Sequence, residues 1–259
     1  MFGMGMTIKF DEIKTVANKP IWIFVTILLQ FSVMPFLAII ICKLFNFSEE
    51  ITLGFIILGA CPGGTASNVI CYICRANVSL SILCTFVSTG LAVILTPLLI
   101  LLYAAVDINI ELISLIKSTF FIIFLPVVSG FIIKTFMSSK SEKYTKSFPF
   151  LSELMVALII AIIFAVNYDS LEIISYTLII GIILHNLIGL ILTLLLCNFL
   201  KYPGDVRKTI AIEVAMQNSG LGMTLALLHF SKIVALPSAI FSIWHNISAA
   251  GLVYLWKKK

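Results

Sequence analysis

Two interruptions in apolar runs decide the fold: Cys61-Pro62-Gly63-Gly64-Thr65-Ala66-Ser67-Asn68 within residues 51–75, and Glu213-Val214-Ala215-Met216-Gln217-Asn218-Ser219-Gly220-Leu221-Gly222 within residues 206–230. About twenty apolar residues are what a helix needs to cross the hydrocarbon core of a bilayer. Pro62 removes a backbone donor and collides with the preceding turn, so the first run breaks there, with Gly63 and Gly64 beside it. Those glycines could also serve close helix packing, but next to proline a break is the simpler reading. The second run is expected to break near Asn218 to Gly222, with Gly220 and Gly222 in the break.

Working outward, six unbroken runs flank these two, at about 21–44, 77–104, 115–136, 149–167, 173–200 and 236–256. The whole chain is 61% hydrophobic and 11% charged, with mean hydropathy +1.15. A water-soluble domain carries about 25% charged residues. The runs are too long and too uniform for the alternating strands of a barrel. Helices are then the structure that pairs every backbone group in lipid. The fold class is therefore all-α and membrane-integral, with eight spans and residues 1–7 as the remnant of a preceding helix. Residues 8–20 read as a polar loop, 106–114 as an amphipathic connector and 137–148 as a basic, Ser-rich linker.

The loops give an orientation. With 8–20 on the cytoplasmic side, alternating spans place 14 of the 17 basic residues inside, leaving only Lys43, Lys117 and Lys232 outside. That is the positive-inside pattern, and it puts both termini of the chain in the cytoplasm. The net charge of +5 thus reflects membrane topology and does not suggest nucleic acid. Cys71 and Cys74 form a CxxC, but no second pair or partner histidine accompanies it, so the cysteines read as small apolar residues.

The broken runs are each preceded and followed by an unbroken one. Residues 21–104 and 173–256 look like two copies of one unit, separated so that the second is inverted in the membrane. Inverted repeats with paired broken helices are a common architecture of secondary transporters, with the binding site at the breaks. Two spans precede the second copy, whereas only residues 1–20 precede the first. The expectation is a ten-span pattern cut short at its N-terminal end.

Glu213 is the one acidic residue deep in a span. A carboxylate at mid-membrane costs about 2.5–3.5 kcal/mol on insertion scales, and no Lys or Arg lies deep in a run to pair with it. Either a bound cation or a proton satisfies it. Gln217 shares its helix face four residues on. Ser81, Thr85 and Ser88 form a stripe in the following run, and Gln30 lies about 15 Å into its own. His245 and Asn246 lie at a similar depth. Carboxylate, amide, hydroxyl and freed carbonyl oxygens suit a hard ion, and a single carboxylate suits Na⁺ better than Ca²⁺. His185 and Asn186 sit in an unbroken run and read as inter-helix packing or hydrogen-bonding residues. A catalytic or metal-centred reading of the histidines has no HExxH and no activated nucleophile behind it, so the chain is not read as an enzyme.

At Met1-Phe-Gly-Met-Gly-Met-Thr7, Cys61 to Asn68, Glu213 to Gly220 and His245-Asn246, the chain resembles the bile acid:sodium symporter family. The resemblance implies a core of two inverted three-helix units (21–104 and 173–259), with residues 105–172 as a residual panel domain. It implies two Na⁺ ions. One would be held by Ser67, Asn68, Ser81, Thr85 and Glu213; the other by Gln30, Glu213 and Gln217 with the backbone carbonyls of Val214 and Met216. It also implies a small organic anion beside Thr65, Asn218, His245 and Asn246. The expected activity is sodium-coupled symport of that anion by alternating access, in a bacterial inner membrane and as a monomer. Proton coupling through Glu213, or a short form that binds sodium without transporting, are the alternatives.

Overall fold

The computed structural model describes residues 1–6, 19–104, 111–136, 148–168 and 175–257. The expected loop over 8–20 (apart from Lys19 and Pro20), most of the connector and linker, and the last two lysines lie outside them. The described residues are helical, with no named strand. In chain order they form α1 (Phe2–Gly5), α2 (Pro20–Phe45), α3 (Glu49–Gly59), α4 (Ala66–Ile73), α5 (Val78–Tyr103), α6 (Leu112–Phe136), α7 (Phe148–Val166), α8 (Tyr176–Phe199), α9 (Gly204–Ala215), α10 (Ser219–His229) and α11 (Leu236–Lys257). Five of these are long and apolar enough to cross a membrane: α2, α5, α6, α8 and α11. The other three expected spans correspond to α7 and to the half-helix pairs α3/α4 and α9/α10.

Local chemistry sets the ends. Pro20 opens α2, where its missing N–H is an orphan in any case. Ser48 caps α3 through the Ile51 amide, and Glu49 and Glu50 occupy its first turn, where the helix dipole favours negative charge. Asn77, Ser175 and Asn218 cap α5, α8 and α10 by accepting from the amides of Leu80, Leu178 and Leu221. Asn46 ends α2 in the left-handed region at φ 52°, a conformation asparagine tolerates.

The outer surface differs from that of a water-soluble protein. Large apolar side chains such as Phe24, Phe36, Leu102, Leu195 and Phe199 are exposed, as lipid contact requires. The polar residues Gln30, Ser67, Ser81, Thr85, His185, Asn186, Glu213 and Gln217 are buried. One apolar cluster joins α3, α10 and α11 with residues of α2, α5, α6 and α7, and another joins α2, α5 and α9 with Cys197 of α8. Small residues permit the closest approaches. A Cβ on Gly59 would stand 3.0 Å from the Met34 carbonyl oxygen, so α2 and α3 meet backbone to backbone.

One expectation about the breaks is corrected. The first break falls at residues 60–65, across Pro62, Gly63 and Gly64. The second falls at Met216, Gln217 and Asn218, and both Gly220 and Gly222 lie within the first turn of α10. Asn218 ends the break by capping α10, so helix resumes before the glycines are reached. Gly222 has a packing role instead: a Cβ there would stand 2.5 Å from Ser238 Oγ.

Candidate functional site

The two breaks meet. Gly63 and Gln217 form an isolated antiparallel bridge. The Gly64 amide donates to the Met216 carbonyl at 2.7 Å, and the Asn218 amide donates to the Pro62 carbonyl at 2.8 Å. Each interruption therefore satisfies backbone groups that the other leaves bare, which lipid could not do. Gly64 lets the two backbones come this close, since a Cβ there would stand a tight 3.1 Å from the Gln217 carbonyl oxygen.

The bridge lies between two carbonyl ends, of α3 and α9, and two amide ends, of α4 and α10. The carbonyl ends of α3 and α9 converge there, and both ends carry partial negative charge. The α3 carbonyls are capped by side chains from three other segments. Gln217 Nε2 donates to Gly59 O at 2.8 Å, Thr96 Oγ1 to Ala60 O at 2.6 Å, and Gln30 Nε2 to Cys61 O at 2.9 Å. A carbonyl accepts only, so these contacts fix both amides with their nitrogens toward α3. Gln217 Oε1 is left buried with no hydrogen-bond partner. On α9, the Ala215 carbonyl accepts from Asn186 Nδ2 at 2.8 Å. The Val214 carbonyl loses its ordinary donor four residues on, because the Asn218 amide is turned to Pro62.

Glu213, 1% exposed, occupies the last turn of α9. Ser67 and Ser81 hydroxyls meet its Oε1, and Thr85 Oγ1 meets Oε2 at 2.8 Å. The same three hydroxyls also lie against Gly64 O (2.7 Å), Asn68 Oδ1 (2.8 Å) and Ser81 O (2.9 Å) respectively. Each hydroxyl has one proton and two acceptors. Turning the Asn68 amide end for end would relieve one of these contacts only. The group therefore has more acceptors than protons, and no Lys or Arg hydrogen-bonds to Glu213 among the described residues. Ser88, the last of the hydroxyl stripe, bonds to the Thr85 carbonyl instead.

Of the first ion set, Ser67, Asn68, Ser81, Thr85 and Glu213 are thus gathered in one hydrogen-bonded cluster. Of the second, Gln30 and Gln217 both bond to the end of α3, while Val214 and Met216 sit where α9 ends and the bridge begins. The residues expected beside an anion are less closely joined. Thr65 and Asn218 stand at the amide ends of α4 and α10, where partial positive charge favours an anion. Thr65 is exposed, and Asn218 also reaches Met1 Sδ at 3.7 Å. His245 is buried with its ring 5.3 Å from Phe241. Asn246 turns its amide back onto the Ser242 carbonyl of its own helix at 2.8 Å. No hydrogen bond links His245 or Asn246 to Thr65 or Asn218.

Sequence reasoning missed Thr96. A lone threonine in an apolar run ordinarily bonds its own helix, and nothing in its spacing marks it as a partner for Ala60. Among the described residues no three His, Cys, Asp or Glu side chains gather as a metal site. All six cysteines are buried free thiols.

Comparison with known proteins identifies the family. The profile of the Sodium Bile acid symporter family matches residues 1–174. The chain is 39% identical over its full length to a Bacillus subtilis protein named as an uncharacterized sodium-dependent transporter, and covers 81% of it. It is 34% identical over its full length to an Arabidopsis thaliana protein named as a probable chloroplastic sodium/metabolite cotransporter, and covers 65% of that chain, just under two thirds. Against the human ileal sodium/bile acid cotransporter it is 29% identical, again over the full chain and covering 77% of that protein. With its apolar spans, its paired breaks and this match, the chain belongs to the sodium bile acid symporter family, whose members are multi-pass, sodium-dependent membrane transporters and not enzymes.

Proposed function

We propose that the protein is a symporter that couples downhill entry of two Na⁺ ions to transport of a small organic anion, a carboxylate or sulfonate, by alternating access. The observation that carries this is the excess of acceptors over protons around Glu213. A cation coordinated by Ser67, Asn68, Ser81, Thr85 and Glu213 removes that excess. Gln217 Oε1, buried and unpartnered, and the Val214 carbonyl support a second ion shared with Gln30, Met216 and Glu213.

In this reading residues 21–104 and 173–259 are inverted core units and 105–172 belong to a panel. The ions neutralise Glu213 and the carbonyl ends of α3 and α9, which stabilises the bridged breaks. The amide ends of α4 and α10, with Thr65, Asn218, His245 and Asn246, then hold the anion, and the core rocks against the panel. Each sodium charge gains about 2.3 kcal/mol per 100 mV of membrane potential. In this reading both ends lie in the cytoplasm of a bacterial inner membrane, which the basic loops support, and the working unit is a monomer.

Uptake of a bile acid and of a small carboxylate into proteoliposomes tests the proposal. An inward sodium gradient at constant pH is expected to drive accumulation of one of them, and Glu213→Gln to abolish it. A second reading, in which a proton on Glu213 relieves part of the same excess, makes a pH gradient in sodium-free buffer sufficient. Accumulation under that condition alone rejects sodium coupling.

A further inference from the structure

Asn186 lies in the middle of the unbroken helix α8 and is 2% exposed. A buried primary amide is costly unless its groups are bonded. This one bonds at both ends. Its Nδ2 donates to the Ala215 carbonyl at 2.8 Å, and its Oδ1 accepts from Trp244 Nε1 at 3.1 Å. Ala215 is the last residue of α9, between the Val214 and Met216 carbonyls assigned to an ion. Trp244 lies on α11 and directly precedes His245. One planar amide therefore spans the ion-facing break and the helix that carries a residue of the anion set.

Its neighbour His185 fixes the frame. His185 Nε2 meets the Met34 carbonyl at 3.0 Å, and its ring stands edge-on to Phe55 and Phe241, 6.1 and 6.4 Å away. Phe241 in turn packs on His245. Helix α8 is thereby pinned to α2 and α11, while Asn186 touches the end of α9, the part whose carbonyls an ion would reorient.

We propose that Asn186 is a positioning residue that couples sodium occupancy at the second break to the Trp244–His245 segment of α11. The proposal rests on the sodium reading given above. When an ion draws the Val214 and Met216 carbonyls inward, the Ala215 carbonyl between them turns with them. The rigid amide passes that change to the Trp244 indole N–H. Coupling of this kind is reciprocal, so an anion that reorders α11 tightens sodium in return.

Trp244 supplies its own reporter, because the chain has three tryptophans and the other two are Trp22 and Trp256. In the purified Trp22→Phe, Trp256→Phe protein, NaCl is titrated against KCl at constant ionic strength while emission and thermal melting are followed. The expected result is a saturable, sodium-specific change in Trp244 emission whose midpoint matches that of thermal stabilisation. In Asn186→Leu the emission change is lost, while sodium still stabilises with a midpoint shifted by no more than about tenfold, the worth of one hydrogen bond. Stabilisation by sodium with no response at Trp244, or a response that survives Asn186→Leu, overturns the coupling. If the leucine variant does not fold, agreement or disagreement of the two midpoints in the parent decides. No sodium-specific stabilisation of the parent rejects the sodium site itself, a separate failure.

Discussion

Gly63 and Glu213 approach so closely that a Cβ on Gly63 would stand 2.8 Å from Glu213 Oε2. The first break thus serves the carboxylate that stands just before the second, and the absence of one methyl group makes room for it. Helix α4, which follows Gly63, then brings Ser67 to the same carboxylate, and α5 brings Ser81 and Thr85.

Gly63→Ala is expected to displace the carboxylate or the bridge. Forcing a methyl group into a packed site costs about 1–3 kcal/mol, or roughly 5- to 150-fold in an equilibrium. Sodium-dependent thermal stabilisation should weaken by that order in titrations against potassium. An unaltered sodium midpoint would show that the Gly63 contact has no part in ion binding.

Thr85→Val keeps the side-chain shape and removes one hydroxyl from Oε2 of Glu213. Sodium affinity should fall roughly 10- to 150-fold, the order of one hydrogen bond to a charged group. Ser88→Ala, in the same stripe but bonded to the Thr85 carbonyl, should change it far less. Equilibrium binding of radioactive sodium to the two variants checks the contrast, and equal losses would count against the assigned oxygen set.

Gln217→Leu removes a donor from Gly59 O and an oxygen from the proposed second ion. The orphaned carbonyl should cost about 1–3 kcal/mol of stability. Bound sodium at saturation should drop from two per chain to one. Two ions retained in this variant would remove Gln217 from the ligand set.

Thr96→Val separates stability from binding. It leaves Ala60 O without its threonine donor and should destabilise by about 1–3 kcal/mol, while the sodium midpoint stays unchanged. A large shift in sodium affinity would mean that the α3 cap tunes the ion site.

The breaks show how far the sequence could be read. Pro62, Gly63 and Gly64 mark the first because proline cannot continue the backbone pattern, and that effect is local. The second has no proline within it, and Gly220 and Gly222, which mark it in the sequence, lie a few residues beyond it in α10. What ends α9 is the pairing of Met216 and Asn218 with the first break, a contact between positions about 150 residues apart. The site shows the same division. Glu213 stood out as a charge in an apolar run, and Ser81 and Thr85 as a hydroxyl stripe. That Gln30 and Gln217 turn their nitrogens toward α3, and that Thr96 and Asn186 cap the broken ends, depends on neighbours no spacing rule supplies.

By itself the sequence determined that this chain is a bundle of membrane helices with two interruptions and one acidic residue, Glu213, deep in a span. Hydrophobicity and proline act residue by residue, and a bilayer admits few alternatives. Only the tertiary structure decided which backbone groups the interruptions exchange and which oxygens surround Glu213. Unpaired polar groups in a dry interior take whatever partner packing brings within about 3 Å, and helices distant in sequence provide it.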